Sequence, residues 1–294
     1  RCKLCGQRGH TVGDCPQVTE CSHCGSSEHT AKRCTFGANS SERFLLCDSV
    51  EPHAPCFWRR FIVPLQRADA VAFNPEDARV GRADVGLRCV SSALFRSQGL
   101  RRNSQACICF EASGHCLEVS GALARDLRPD DNALAFRVRS GLDALLKEGC
   151  QAPDPETDPV AWSAGELRGL EALARTKNKA LKAALRQADG KRVVLMLLTE
   201  DGTPIRKVCV QLRQGPPLAG VVVLLGDDRG LPAEEADAMA TLAEKCGAEV
   251  QRVSLGGTTL LASHAIVILH HYLDEYIHRC RVPKPRDYGA EAKR

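Results

Sequence analysis

Apolar positions in this chain fall into short runs with glycine or proline between them, and the period of each run predicts an element. Arg60–Leu65 and Gln105–Phe110 read as strands, and Ala83–Ser97 and Asn132–Leu146 as amphipathic helices. Residues 151–160, rich in Pro and Asp, read as a loop, and the Ala, Leu and Lys spacing of Ala164–Arg186 predicts one long helix. The last third is cleaner. A strand over Arg192–Leu198 stops at the turn Thr199-Glu200-Asp201-Gly202. Val221–Leu225 is almost wholly β-branched residues and leucine, the signature of a central parallel strand. After Gly226-Asp227-Asp228-Arg229-Gly230 come a helix over Ala233–Cys246, a strand over Glu249–Ser254, the break Leu255-Gly256-Gly257, and a helix to Arg279. Strand, glycine loop, helix is the repeat of an α/β fold with a mostly parallel sheet, which builds its ligand sites at strand carboxyl ends.

With 44% hydrophobic and 26% charged residues in 294, the chain has enough apolar content for a core and is not disordered. No apolar run reaches the roughly 18 residues of a membrane span, so no membrane is expected as partner. The net charge is +4. The chain opens on Arg1, inside a motif, and reads as a piece of a longer one. Neither G-x-G-x-x-G after a strand nor G-x-x-x-x-G-K-[ST] is present, so no nucleotide fingerprint is met.

Cysteine usage changes the picture. Six of the 16 cysteines lie in the first 34 residues, where Cys2, Cys5, His10 and Cys15 repeat as Cys21, Cys24, His29 and Cys34 at a constant offset of 19. Each set reads C-x2-C-x4-H-x4-C. Two thiolates on a tight turn, completed by a later His and Cys, make a tetrahedral set for a structural Zn²⁺, hence two zinc ions. Gly6 and Gly25 leave the turn free of side-chain bulk beside sulfur, and units this small need the metal to fold. Such knuckles hold single-stranded nucleic acid or, alternatively, protein. No aromatic stacking residue is present, so Lys3, Arg8, Lys32 and Arg33 would contact phosphate as an RNA tether. Residues 1–36 thus read as tandem knuckles, 37–56 as linker, 57–282 as the α/β domain and 283–294 as a basic tail. The remaining cysteines, Cys107 and Cys109 on one face of a strand among them, read as buried thiols. Free thiols and zinc fit a reducing intracellular compartment, with cytoplasm or nucleus favoured over an organelle matrix.

Five motifs, in order, carry a resemblance to a known family. They are Gly81-Arg82-Ala83-Asp84 with Arg88–Phe95 and Gly99–Arg102; Leu127-Arg128-Pro129-Asp130; Leu198–Gly202; Val223–Pro232; and Val253–Val267. Over residues 58–280 the chain resembles the SPOUT RNA methyltransferases, most closely the TrmY family, which methylates N1 of pseudouridine at position 54 in the T loop of archaeal tRNA. The knuckles lie outside the resemblance. It implies a deep carboxy-terminal trefoil knot, a homodimer, tRNA as partner and S-adenosylmethionine as cofactor. The cofactor would sit near Leu198, near Gly226, and across Ser254, Leu255, Gly256, Gly257, Thr258, Thr259 and Ala265. Methyl transfer to an imide-like N1–H needs a group to accept its proton, and the resemblance points to Asp84 with Arg82 beside it. Arg88, Arg101 and Arg102 would hold RNA.

Three positions depart from the family pattern: Ala265 where Cys is usual, Asn103 where Asp is usual, and Asp228 where His is usual. Two other readings therefore stay open. One is a knotted RNA-binding or assembly factor without catalysis; the other is a SPOUT methyltransferase acting on another RNA base. Without the resemblance, Arg82 and Asp84 would read as a surface ion pair on a helix. His264, His270 and His271 read as packing or dimer residues rather than metal ligands, since 270 and 271 point to different faces.

Overall fold

The computed structural model describes residues 57–97, 99–121, 124, 127–147, 170–173, 176–186, 192–216 and 218–281. The zinc-knuckle ligands, the linker, the acidic loop and the basic tail lie outside them.

Alternation along the strands sorts side chains into two cores. Strands β1 (Trp58–Leu65), β4 (Ser104–Phe110), β5 (His115–Ser120), β6 (Leu170–Leu173), β7 (Val193–Pro204), β8 (Gly220–Leu224) and β9 (Glu249–Ser254) form one sheet in the order β6-β5-β4-β1-β8-β7-β9. A small ribbon pairs β2 (Phe95–Arg96) with β3 (Gly99–Leu100). From β4 through β9 every pairing is parallel, while β5 and β6 add antiparallel edges. On one face, Phe61, Val63, Ile108, Met196 and Val223 meet α1 (Ala83–Leu94), α2 (Asp131–Lys147), α4 (Ile205–Gln214) and α6 (Ala262–Arg281). On the other, Ile62, Leu195, Val222 and Leu224 meet α3 (Lys177–Arg186) and α5 (Ala233–Lys245). Burial on both faces explains why β8, between β1 and β7, is an unbroken apolar run. Among the described residues no helix is long and apolar enough to cross a membrane.

Three expectations are corrected. The predicted helix over Ala164–Arg186 contains a strand: Leu170–Leu173 pairs with Cys116–Val119, and among the described residues of that span only Lys177–Arg186 is helical, so sheet pairing overrides helix propensity. The helix predicted to Ser97 stops at Leu94, because Phe95 turns extended to pair with Leu100. The turn at 199–202 does not end β7: Leu198 and Thr203 both face Val253, so the intervening residues loop out and the strand resumes. Two elements were not foreseen. Strand β5 follows a turn closed by Gly114 in a left-handed conformation, and α4 buries Ile205, Val208 and Leu212.

One buried polar knot ties the first strand to the last helix. Arg59, 2% exposed, donates to His270 Nδ1 at 2.7 Å and to Asp274 at 2.5 Å. His270 Nε2 must then carry the proton, donating to the Ala93 carbonyl at 3.1 Å. His270 is thus a packing residue, as its position suggested. Burial, with the Arg101 and Arg59 charges, pushes the imidazole down to about 3. The unfolded chain therefore takes up a proton near pH 6.5 that the folded chain refuses until about 3. Stability should be full above pH 6.5 and fall below it by up to about 1.4 kcal/mol per pH unit. Urea midpoints measured down from neutral pH should show this slope in wild type and a shallower one in His270→Gln.

Candidate active site at the carboxyl edge of the sheet

Because β8, β7 and β9 are adjacent and parallel, the segments at their carboxyl ends, 225–230 after β8, the loop-out within 198–204 of β7 and 254–261 after β9, lie side by side. Their glycines are there for space and for backbone conformation. A Cβ on Gly226 would lie 2.1 Å from the Gly230 backbone carbon, and one on Gly202 would lie 2.7 Å from the Val253 backbone nitrogen. Gly256 has φ +127°, a conformation closed to other residues, and neither it nor Gly257 has a neighbour within 4 Å of where a Cβ would stand. Ser254 Oγ accepts from the Gly256 N–H at 3.2 Å, and Thr259 donates to Glu200 at 3.0 Å, joining two of the loops. Leu198 and Leu255 are half-buried, Thr258 is exposed, and Ala265 is buried in the first turn of α6. Thr199 Oγ1 is buried and has no hydrogen-bond partner. An open backbone cradle of this kind suits a polar adenosyl ligand.

The same edge holds a chain of alternating charges. Gln66, just past β1, donates its backbone N–H to Asp227 at 2.9 Å and its amide to the Gly230 carbonyl at 3.1 Å, pinning the 226–230 loop. Next to it, Asp228 accepts from Arg67 at 2.5 Å and from Arg82 at 3.2 Å. Arg82 Nε reaches Asp84 at 3.0 Å, and Arg88 binds the other Asp84 oxygen at 2.7 Å. Arg67, Arg82 and Arg88 are 40%, 37% and 38% exposed, so their charges face solvent. The hydrogen bond to Asp84 holds the Arg82 guanidinium above its ordinary pKa. Arg82 has φ +64°, the one non-glycine in the left-handed region among the described residues. Gly81 precedes it at φ +64°, where a Cβ would sit 2.7 Å from the Arg67 carbonyl. Backbone strain of this kind, of order 1–3 kcal/mol, collects at functional sites.

The structure thus brings Asp84, Arg82 and Arg88 together beside the glycine loops. It does not bring Arg101 and Arg102 there. Arg101 forms a two-pronged pair with Asp274, and Arg102 donates to the Gly121 and Ala124 carbonyls, so both guanidiniums are committed to internal partners. Arg67 and Asp228 were not foreseen as site residues; the visible signal was Asp228, where the family pattern has His. Asn103, the other departure, donates to the Phe57 carbonyl at 2.7 Å.

The fold and this edge define a class, and comparison with known proteins places the chain within it. Residues 59–277 match the family described as "Putative SAM-dependent RNA methyltransferase", more than half of the chain. The chain belongs to that family of S-adenosylmethionine-dependent RNA methyltransferases. A Halobacterium salinarum protein named tRNA (pseudouridine(54)-N(1))-methyltransferase is 30% identical over 219 residues, 74% of this chain and 96% of its own. One of the same name from Methanosarcina mazei is 29% identical over 206 residues, 69% of this chain and 83% of its own. The crystal structure of Archaeoglobus fulgidus Nep1 bound to S-adenosylhomocysteine matches 76% of this chain and 99% of that one at 13% identity and a TM-score of 0.45, too distant to bear on ligands here.

Two outcomes follow from the geometry. Gly226→Ala should abolish S-adenosylmethionine binding in calorimetry at a cost of about 1–3 kcal/mol in stability, as overpacking costs. Arg67→Ala should reduce the salt dependence of RNA binding by about one unit of slope, while Arg101→Ala should lower the melting temperature and leave that slope unchanged.

Proposed function

We propose that this enzyme methylates N1 of pseudouridine in the T loop of tRNA, at position 54, with S-adenosylmethionine as donor. The observation that carries the reading is one shared loop: Gly226 closes the cofactor cradle, and Asp228, two residues on, anchors the charge chain ending at Asp84. The names of the relatives support the choice of nucleotide.

When bound, S-adenosylmethionine supplies an electrophilic methyl group on its sulfonium. Leu198, Gly226, Ser254, Leu255, Gly256, Gly257, Thr258 and Thr259 would hold it, largely by backbone groups, with Ala265 beneath. Asp84 accepts the hydrogen bond from N1–H and takes up the proton as the methyl arrives. Arg82 holds Asp84 in place and, with Arg88 and Arg67, contacts uracil oxygens or the flanking phosphates. Orientation carries much of the acceleration, since no residue forms a covalent bond to substrate.

The knuckles would each hold one structural Zn²⁺, through Cys2, Cys5, His10 and Cys15 and through Cys21, Cys24, His29 and Cys34, and would capture RNA ahead of the catalytic domain; such zinc thiolates suit a reducing cytoplasm or nucleus. The homodimer is carried over from the family resemblance, with Val210 on α4 and Val267 on α6, each half exposed, as candidate contact residues. The trefoil knot is taken from the family resemblance.

The deciding assay is mass spectrometry of a pseudouridine-containing T-loop RNA after incubation with enzyme and S-adenosylmethionine. Wild type should add one methyl to pseudouridine, and Asp84→Asn should lower kcat by about 10²–10⁴-fold with cofactor affinity retained. Methylation of another base would overturn the substrate; folded protein that binds no cofactor would leave the RNA-binding factor instead. Elemental analysis should give two zinc ions per chain, and Cys5→Ser with Cys24→Ser should remove both and weaken RNA binding.

A further inference from the structure

A group of thiols on the sheet face away from α1 and α6 takes no part in the site above. Cys107 and Cys109 lie on β4, and Cys116 lies directly opposite Cys109 on the antiparallel β5. All are buried, at 6%, 1% and 0% exposure. Cys109 Sγ is 3.8 Å from Cys107 Sγ and 3.1 Å from Cys116 Sγ, and all three sulfurs fall within 4.8 Å of one another. A trigonal ion about 2.3 Å from each sulfur needs them about 4.0 Å apart; the two separations from Cys109 fall short of that by less than 1 Å, and the third is at most 4.8 Å. Small χ1 adjustments on two rigid strands would reach that spacing.

We propose that Cys107, Cys109 and Cys116 form a binding site for a single Cu(I) ion. Soft thiolates select Cu(I) and Zn(II), but Zn(II) closes structural sites with four ligands. Among the described residues no further His, Cys, Asp or Glu joins the three within that distance, so the set favours the ion of lower coordination. Cys107 also lines a cleft under α3 with Arg60 and Glu118, which gives the ion a way in. Arg60 places a positive charge beside both Glu118 and Cys107. Copper enters as Cu(I), so no electron moves; each thiol gives up its proton as its metal–sulfur bond forms.

The test uses the full chain, zinc-loaded and reduced, titrated anaerobically with Cu(I) against a competing copper chelator while its zinc content is followed. Wild type should retain one more copper than Cys109→Ser or Cys107→Ser, with zinc unchanged. Cys246→Ser, which removes an exposed thiol, should match wild type. X-ray absorption on wild type at one equivalent should show a shell of three sulfurs. Cys107→Ser, at the cleft, and melting curves guard against reading misfolding as lost copper. Equal copper in wild type and both variants, a shell without three sulfurs, or Zn(II) taken up equally tightly at these thiols would overturn the proposal.

Discussion

The working edge of this protein depends on how closely the backbone passes Gly226. With a Cβ there 2.1 Å from the Gly230 carbon, only glycine lets the chain leaving β8 fold back at once. That turn aims Asp227 at the end of β1 and Asp228 at Arg67 and Arg82, while leaving room beside the loops of β7 and β9. In the function proposed above, donor cradle and acceptor clamp are two sides of one five-residue loop. Their relative position is set by covalent geometry and strand pairing rather than by flexible side chains.

The clamp is assembled from weak parts. Partly exposed ion pairs contribute about 0–1 kcal/mol each, so the Arg67–Asp228–Arg82–Asp84–Arg88 chain is a poor device for stability. It nonetheless holds Arg82 in a left-handed backbone, which costs energy. Spending strain on a surface network makes sense if the network's task is to present charge to RNA. The buried Arg59–His270–Asp274 knot has the opposite character. Its Arg59 and His270 are buried while Asp274 reaches the surface; it joins β1 to α6 and keeps its histidine neutral, so it belongs to the scaffold.

Much of this was legible in the sequence. The strands β1, β4, β8 and β9, the helix α5 and the glycine loops follow from run length and punctuation, and Asp84 with Arg82 from a motif. What was hidden depended on partners distant in sequence. Leu170–Leu173 has helix-forming composition and becomes a strand only because β5 offers an edge. The 199–202 loop-out is invisible until Val253 is seen to face both Leu198 and Thr203. Arg101 and Arg102 share a motif with the candidate site residues, yet their guanidiniums turn to Asp274 and to backbone carbonyls. Arg67, outside every motif, gains its place because β1 lies beside β8.

The most direct test of a donor pocket and acceptor clamp sharing one loop is a crystal structure of the chain with S-adenosylhomocysteine and a pseudouridine T-loop RNA. The adenosyl group should lie against Leu198, Gly226 and the 254–259 loop, with N1 of the target base between the ligand's sulfur and the Asp84 carboxylate. A cofactor bound away from Gly226, or a target base with Asp84 beyond hydrogen-bonding reach of N1, would contradict it.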